Sequence, residues 1–324
     1  MHMSDALVSP TVAAVAGTAS LLLLGTALRK LRPASGMHAA PEANERIVPL
    51  MGVTGAFVFA AQMINFAVPG TGSSGHIVGG ILLSAILGPW AALLTLSSVL
   101  VLQCLLFADG GLLALGCNIF NMAVLSCLAA YPLVYRPIAG RSTSHGRIFA
   151  ASLAASVAGL ELGALAVTAE TVASGITALP FGRFLLFMLP IHLAIGIGEG
   201  IATGTVLCAV QRYRPELLAG RRNEKQTGKT LAAIALAALV VGGSFSWIAS
   251  SRPDGLEWSI ERTAADPEIE AQPDGAHRTA AALQQRTAAL PDYDTSAAGL
   301  VGCGVILLAA WGGTRLLRTR RRQA

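Results

Sequence analysis

A histidine in second position is the sharpest chemical feature of this chain. The opening Met1-His2-Met3-Ser4-Asp5 places a free amine, the His2 backbone nitrogen and the His2 ring where they can close two fused chelate rings around one metal ion. These three donors lie in a plane and leave one corner open. Such a set suits Ni(II) or Cu(II), whereas Zn(II) prefers a tetrahedron. Removal of an initiator methionine needs a small second residue, and histidine is large, so Met1 is expected to stay. Of the six histidines, the hydropathy pattern below puts His38 and His145 on the inner side, His192 within a membrane helix and His277 in a loose acidic loop. His76 is left as the fourth donor. It closes the stretch Val68-Pro69-Gly70-Thr71-Gly72-Ser73-Ser74-Gly75-His76, whose glycines allow positive φ and close backbone approach. Its other reading is a helix-capping residue bonded to its own loop.

Polar residues inside apolar spans are costly and point to function. They are Gln62, Asn65, Gln103, Asn118, Asn121, Glu161, His192 and Glu199. Gln62, Asn65, Asn118 and Asn121 are candidates to hydrogen-bond metal-bound imidazoles, which usually donate their second N–H to a neighbour. Asn118 and Asn121, three apart on one helix face, serve equally as links between helices. Glu161 and Glu199 read either as a proton or cation path or as neutral packing residues. Gly228-Lys229-Thr230 imitates the end of a phosphate-binding loop, but Asn223 stands where that motif requires glycine and no strand precedes it. Any ATP-driven step therefore needs another subunit. There is no H-E-x-x-H and no convincing nucleophile–base pair, so the chain does not read as an enzyme. The five cysteines lie in apolar runs without C-x-x-C spacing and read as small buried hydrophobes.

The elements that must position these residues follow from composition. Of 324 residues, 53% are hydrophobic and 13% charged, against about 25% charged in soluble domains; mean hydropathy is +0.61. A soluble enzyme and a disordered chain are excluded. A bilayer-spanning helix needs about 20 apolar residues, and nine candidates emerge: Thr11–Leu28, Ile47–Phe66, His76–Leu87, Trp90–Phe107, Ala114–Val134, Ile148–Thr168, Phe184–Val210, Thr230–Ser250 and Ala297–Gly313. Basic residues mark cytoplasmic loops. Counting His76–Leu87 and Trp90–Phe107 as two crossings puts Arg29–Arg46, Arg136–Arg147, Arg212–Lys229 and Arg315–Arg322 on one side. The expected architecture is thus all-α and polytopic, with the amino terminus outside and nine crossings. The third segment is too short for the roughly 30 Å hydrocarbon core, so the loop before it is expected to dip into the membrane, which is tolerated only where protein buries it or a cavity is lined. The first segment is expected to be retained, since its basic residues follow the apolar run.

Residues 1–211 form a seven-helix core, 212–229 a basic linker and 230–324 a two-helix appendage. The appendage carries an acidic, proline-punctuated extracytoplasmic loop, 251–296, expected to be partly disordered. The net charge of +5 then resolves into a basic inner face and an acidic outer one. That removes the nucleic-acid partner a basic chain would otherwise suggest.

Four ordered blocks carry a family resemblance: Met1 to Pro10; Gly75-His76-Ile77-Val78-Gly79-Gly80; Asp109 to Asn118 with Asn121-Met122; and Ile191 to Glu199. Over Met1 to about Val210 the chain resembles the nickel/cobalt-specific substrate-capture components of energy-coupling-factor transporters. Pro253-Asp254-Gly255-Leu256-Glu257 is similar to the signature of their small accessory membrane component, here fused to the core. The resemblance implies a metal site of the Met1 amine, the His2 backbone nitrogen and the His2 and His76 rings. It also implies a transmembrane coupling protein and a pair of cytoplasmic ATPases as partners in the bacterial plasma membrane. Ala6 departs from the glycine common in the family. The planar donors favour Ni(II) over Co(II) as the transported ion. The rival expectations are Co(II) uptake and a proton-driven cation transporter using Glu161 and Glu199.

Overall fold

In the computed structural model of the chain, residues 1–31, 42–140, 142–218, 228–244, 250–264, 275–293 and 297–323 are described. His38, Arg141, the linker residues 219–227 and the acids Asp266, Glu268, Glu270, Asp274 and Asp294 lie outside them. The long elements are all helices: α1 Pro10–Leu31, α2 Glu42–Gln62, α3 Gly80–Leu87, α4 Pro89–Phe107, α5 Leu115–Ala139, α6 His145–Ser174, α7 Phe181–Tyr213, α8 Gly228–Ser244, α9 Gly255–Thr263, α10 Gly275–Thr287 and α11 Ala298–Gln323. The chain is an all-α polytopic membrane protein. Six of these helices, α1, α4, α5, α6, α7 and α11, are long and apolar enough to cross a bilayer, and α8 and the apolar part of α2 are shorter. Outward-facing Val15, Leu21 and Leu22 on α1 and Leu308 on α11 are about two-thirds exposed, as lipid-facing side chains should be.

Without water between the helices, packing depends on how closely backbones approach. Gly196, Gly200 and Gly204 recur every fourth residue along one face of α7 and press against Val157, Leu153 and Phe149 of α6; a Cβ on Gly200 would lie 2.7 Å from the Leu153 Cα. The two long appendage helices are not peripheral. α11 seats Gly302 on the Phe59 ring of α2, and α8 meets α11 where Gly242 faces Gly299. Over Ile119–Tyr135 helix α5 is wound with π geometry, which elsewhere accompanies functional sites.

Two expectations about local structure change. The third segment is helical only over the eight residues of α3, a rise of about 12 Å, instead of twelve residues from His76. Residues 76–79 stay non-helical because side chains take their backbone groups: Glu199 accepts from the Val78 and Gly79 amides at 2.8 and 3.0 Å, and Gln62 donates to the Val78 carbonyl at 2.8 Å. The acidic loop 251–296 is not loose over its described part. It contains α9 and α10, and α9 begins with a full capping box between Asp254 and Glu257, the local signal that its proline-rich, acidic composition masked.

Candidate metal centre

The first five residues are threaded into the bundle instead of lying on it. Met1 is 6% exposed and Met3 fully buried. The Met3 amide donates to Asn118 Oδ1 at 2.7 Å, and its carbonyl accepts from Asn118 Nδ2 at 3.1 Å and from the Gly111 amide at 2.8 Å. The Asp5 carboxylate accepts from the Ala114 amide at 3.0 Å. Glycine is needed where the tail crosses the segment before α5, since a Cβ on Gly111 would occupy the place of the Asp5 carboxylate. Gly110, at φ +79, takes a conformation that side-chain-bearing residues avoid.

The second ligand-bearing segment is fixed just as firmly. Phe66–Ala67 (β1) pairs antiparallel with Ser74–Gly75 (β2), with Phe66 opposite Gly75. This closes residues 68–73 into a turn, and the Glu199 and Gln62 contacts hold its exit toward α3. His76 is thereby delivered beside His2. The two rings stack with centroids 5.4 Å apart and planes 19° from parallel.

The Met1 nitrogen and one nitrogen of each ring have partners that define their states. The Met1 ammonium lies 2.7 Å from Asp254 Oδ2. His2 Nδ1 lies 3.1 Å from Asp109 Oδ1, and Tyr293 donates its hydroxyl to Asp109 Oδ2 at 2.7 Å. A carboxylate only accepts, so Nδ1 carries the hydrogen, and His2 Nε2 is buried with no hydrogen-bond partner. By the same logic His76 donates Nδ1–H to the Ile77 carbonyl at 3.1 Å and keeps its lone pair on Nε2. Burial lowers the His2 pKa, against the opposing pull of Asp109, so this ring is held neutral as a metal donor must be. For Asp254 burial acts upward, but the Met1 ammonium and the α9 backbone amides outweigh it and hold the carboxyl well below its usual range.

Met1, His2 and His76 therefore come together as expected. The four proposed imidazole partners do something else. Asn118 clamps the Met3 backbone. Asn121 donates to Glu170 at 2.6 Å and touches the Met3 sulfur. Gln62 holds the Val78 carbonyl and accepts from Gln103. Asn65 lines the chamber, and its carbonyl accepts from the Ser250 amide. Asn118 and Gln62 thus hold the backbone of the two ligand-bearing segments. The groups found next to the donors are Asp109 and Asp254. Both sit inside the motif blocks, and an acid on the side expected to face outward was the signal available in the sequence.

A cavity of about 340 Å³ opens at this point, bounded by His2, His76, Gln62, Asn65, Asp109, Arg252, Asp254, Glu257 and Tyr293. Much of its cover comes from the appendage. The Ser74 amide donates to the Pro253 carbonyl and the Ser74 hydroxyl to the Arg252 carbonyl, both at 2.8 Å, and the Trp258 indole donates to the Thr71 carbonyl at 2.9 Å. His277, expected in a loose loop, is buried with Nε2 3.0 and 3.1 Å from the Asp5 and Val8 carbonyls. Gln284 donates to the Gly110 carbonyl at 2.7 Å. Among the described residues no group of three or more His, Cys, Asp and Glu side chains could hold a metal. The nitrogen groups that meet at this point are the terminal amine and the two rings.

Residues 2–217 match the family described as "Cobalt uptake substrate-specific transmembrane region", and residues 228–319 match the PDGLE domain. A protein of Archaeoglobus fulgidus that bears the name of a fused nickel transport protein is 31% identical over 98% of this chain and 100% of its own length. The fused nickel transport protein of Rhodobacter capsulatus is 33% identical over 81% of this chain and 76% of its own. A crystal structure of a truncated transition metal transporter matches with a TM-score of 0.55 and 30% identity, covering 66% of this chain and 99% of that one.

Proposed function

Because the chain belongs to the cobalt-uptake substrate-specific transmembrane family, and so is a nickel/cobalt transport component and not an enzyme, we propose that it captures Ni(II) outside the plasma membrane through its amino terminus. The donors are the Met1 amine, the His2 backbone nitrogen and the His2 and His76 rings. The observation that carries this reading is the burial of the threaded amino-terminal tail against the His76 loop, which brings both rings and the amine to one polar chamber. A fused chelate through His2 uses Nδ1, because only that ring nitrogen closes a six-membered ring with the residue's own amide. Metal loading therefore exchanges Asp109 for the ion at Nδ1, with the ring hydrogen moving to Nε2 and the His2 amide releasing its proton to solvent.

The planar nitrogen set favours Ni(II) over Co(II), and the nickel names of fused relatives with the same two regions lean the same way. Co(II) remains the second cargo to test. Import needs energy this chain does not supply, and we assign that to a transmembrane coupling protein and two cytoplasmic ATPases. A proton-driven route through Glu199 is disfavoured, since both its carboxylate oxygens are engaged in holding the Val78 and Gly79 amides. The test is metal analysis and nickel titration of the full chain with its native amino terminus beside His76→Ala. The expected result is one nickel per chain, lost in the variant. Undiminished binding in His76→Ala refutes the site.

A further inference from the structure

We propose that Asp254, supplied by the PDGLE-type region, is a positioning residue of the metal chamber that holds the Met1 amine where it can ligate. The inference rests on the capture reading above and adds to it a residue from outside the membrane core. The division of labour within this carboxylate is the starting point. Its Oδ1 is committed to the first turn of α9, accepting from the Leu256 and Glu257 amides at 2.8 and 2.9 Å, while Glu257 returns a bond to the Asp254 amide at 3.1 Å. That capping box fixes the carboxylate's orientation, and Oδ2 is left to meet the terminal nitrogen at 2.7 Å.

The same short segment also grips the other ligand-bearing loop. Pro253 and Arg252 offer their carbonyls to Ser74, two residues from His76, and Trp258 reaches Thr71. One rigid element thus touches both the tail that carries Met1 and the loop that carries His76, and sets the distance between them. The signature residues each acquire a physical role. Pro253 gives a carbonyl and Asp254 the cap and the amine contact. Gly255 permits close seating, since a Cβ there would lie 2.8 Å from Ile195 Cδ1 and 3.3 Å from His192 Nε2. Leu256 is buried, and Glu257 closes the box.

The contact is compatible with ligation. On loading, the Met1 ammonium gives up one proton to solvent; the amine that then donates its lone pair to a metal keeps two N–H bonds, and one of them can stay on Asp254 Oδ2. Metal ligands are commonly oriented by carboxylates in this way.

The test uses the full-length chain in detergent with two variants that keep the helix cap. Asp254→Asn retains a capping oxygen but loses the charge facing the amine, and Asp254→Ser still caps but is too short to reach it. Acylation of the Met1 amine in metal-free protein, followed by mass spectrometry, reads the contact without metal. Nickel titration reads its consequence, and amide exchange over residues 255–263 reports whether α9 is intact. With α9 exchange unchanged, Met1 acylation is expected to rise at least about tenfold and nickel affinity to fall about 10- to 100-fold. Should Asp254→Asn loosen α9, the serine variant is read in its place. Unchanged acylation overturns the inference, and so does raised acylation with wild-type nickel affinity, which would make the contact structural only. If His76→Ala also keeps its nickel, the capture reading is what fails, and the acylation arm still decides whether Asp254 holds the amine.

Discussion

Acetylation of the Met1 amine is the most discriminating perturbation of this site, because it changes chemistry with little steric cost. The chamber bounded by Asp254 has about 340 Å³, so one acetyl group can be accommodated. The change converts the Met1 ammonium into an amide. Asp254 then loses the charged partner it meets at 2.7 Å, and the planar donor set loses its terminal nitrogen. A fully buried ion pair broken on one side costs about 3–5 kcal/mol, but Asp254 is 20% exposed against 4% for Met1. The lower figure of about 1.5–3 kcal/mol for a hydrogen bond to a charged group therefore applies, or about 10- to 150-fold in tail docking. The missing donor adds to that loss. Titration of the metal-free acetylated chain is thus expected to show nickel affinity lower by at least about 100-fold, with unchanged helical circular dichroism because none of α1–α11 is touched. An acetylated chain that binds nickel within about twofold of the native one refutes the terminal-amine chelate.

Two further substitutions probe how the site is held. Asn118→Ala strips the Met3 amide of its buried acceptor and removes one donor to the Met3 carbonyl, a cost of about 1–3 kcal/mol; Met1 acylation should accelerate while the helix content stays constant, and an unchanged rate would show that the tail is anchored elsewhere. Gly200→Leu forces a side chain into the Leu153 backbone across the α6–α7 contact, where even a Cβ comes within 2.7 Å; overpacking of this kind costs about 1–3 kcal/mol, read as a lower thermal midpoint of the detergent-solubilised chain, and a wild-type midpoint would mean the two helices are free to separate.

The parts of this molecule legible in the sequence were those set by hydropathy and by ligand chemistry. Long apolar runs give the helices directly, and six of them reach membrane-spanning length as described. His76 was reached by placing each histidine on one side of the membrane and asking which could meet His2. The same elimination set His277 aside, because an acidic, proline-interrupted composition reads as solvated chain. What that reading missed is that a short helix needs only a cap and a few apolar contacts to order. Asp254 and Glu257 supply the cap, and Leu256 and Trp258 supply contacts with the bundle. The roles of Asn118, Asn121 and Gln62 were out of reach for a different reason. An amide side chain can serve a ring or a backbone equally well, and only the path of the threaded tail decides which.

The partners of the nitrogen donors also account for how a site made of a chain terminus stays in place. A free amino-terminal segment loses conformational freedom when it docks, at about 1–2 kcal/mol per residue, so five threaded residues oppose docking by several kcal/mol. Apolar burial of Met1 and Met3, at about 1.5–3 kcal/mol for each fully buried side chain, offsets much of that. The remainder falls to the directed contacts: the Asn118 clamp, the Asp5 bond to Ala114, the Asp254–Met1 pair and the Asp109–His2–Tyr293 chain. Two of these four, the Asp254–Met1 pair and the Tyr293 contact with Asp109, involve residues of the PDGLE-type region. The core supplies the proposed ligands, and the fused region supplies part of the free energy that keeps them assembled, so a chain cut after residue 217 should retain its helices and lose much of the order of its first two residues.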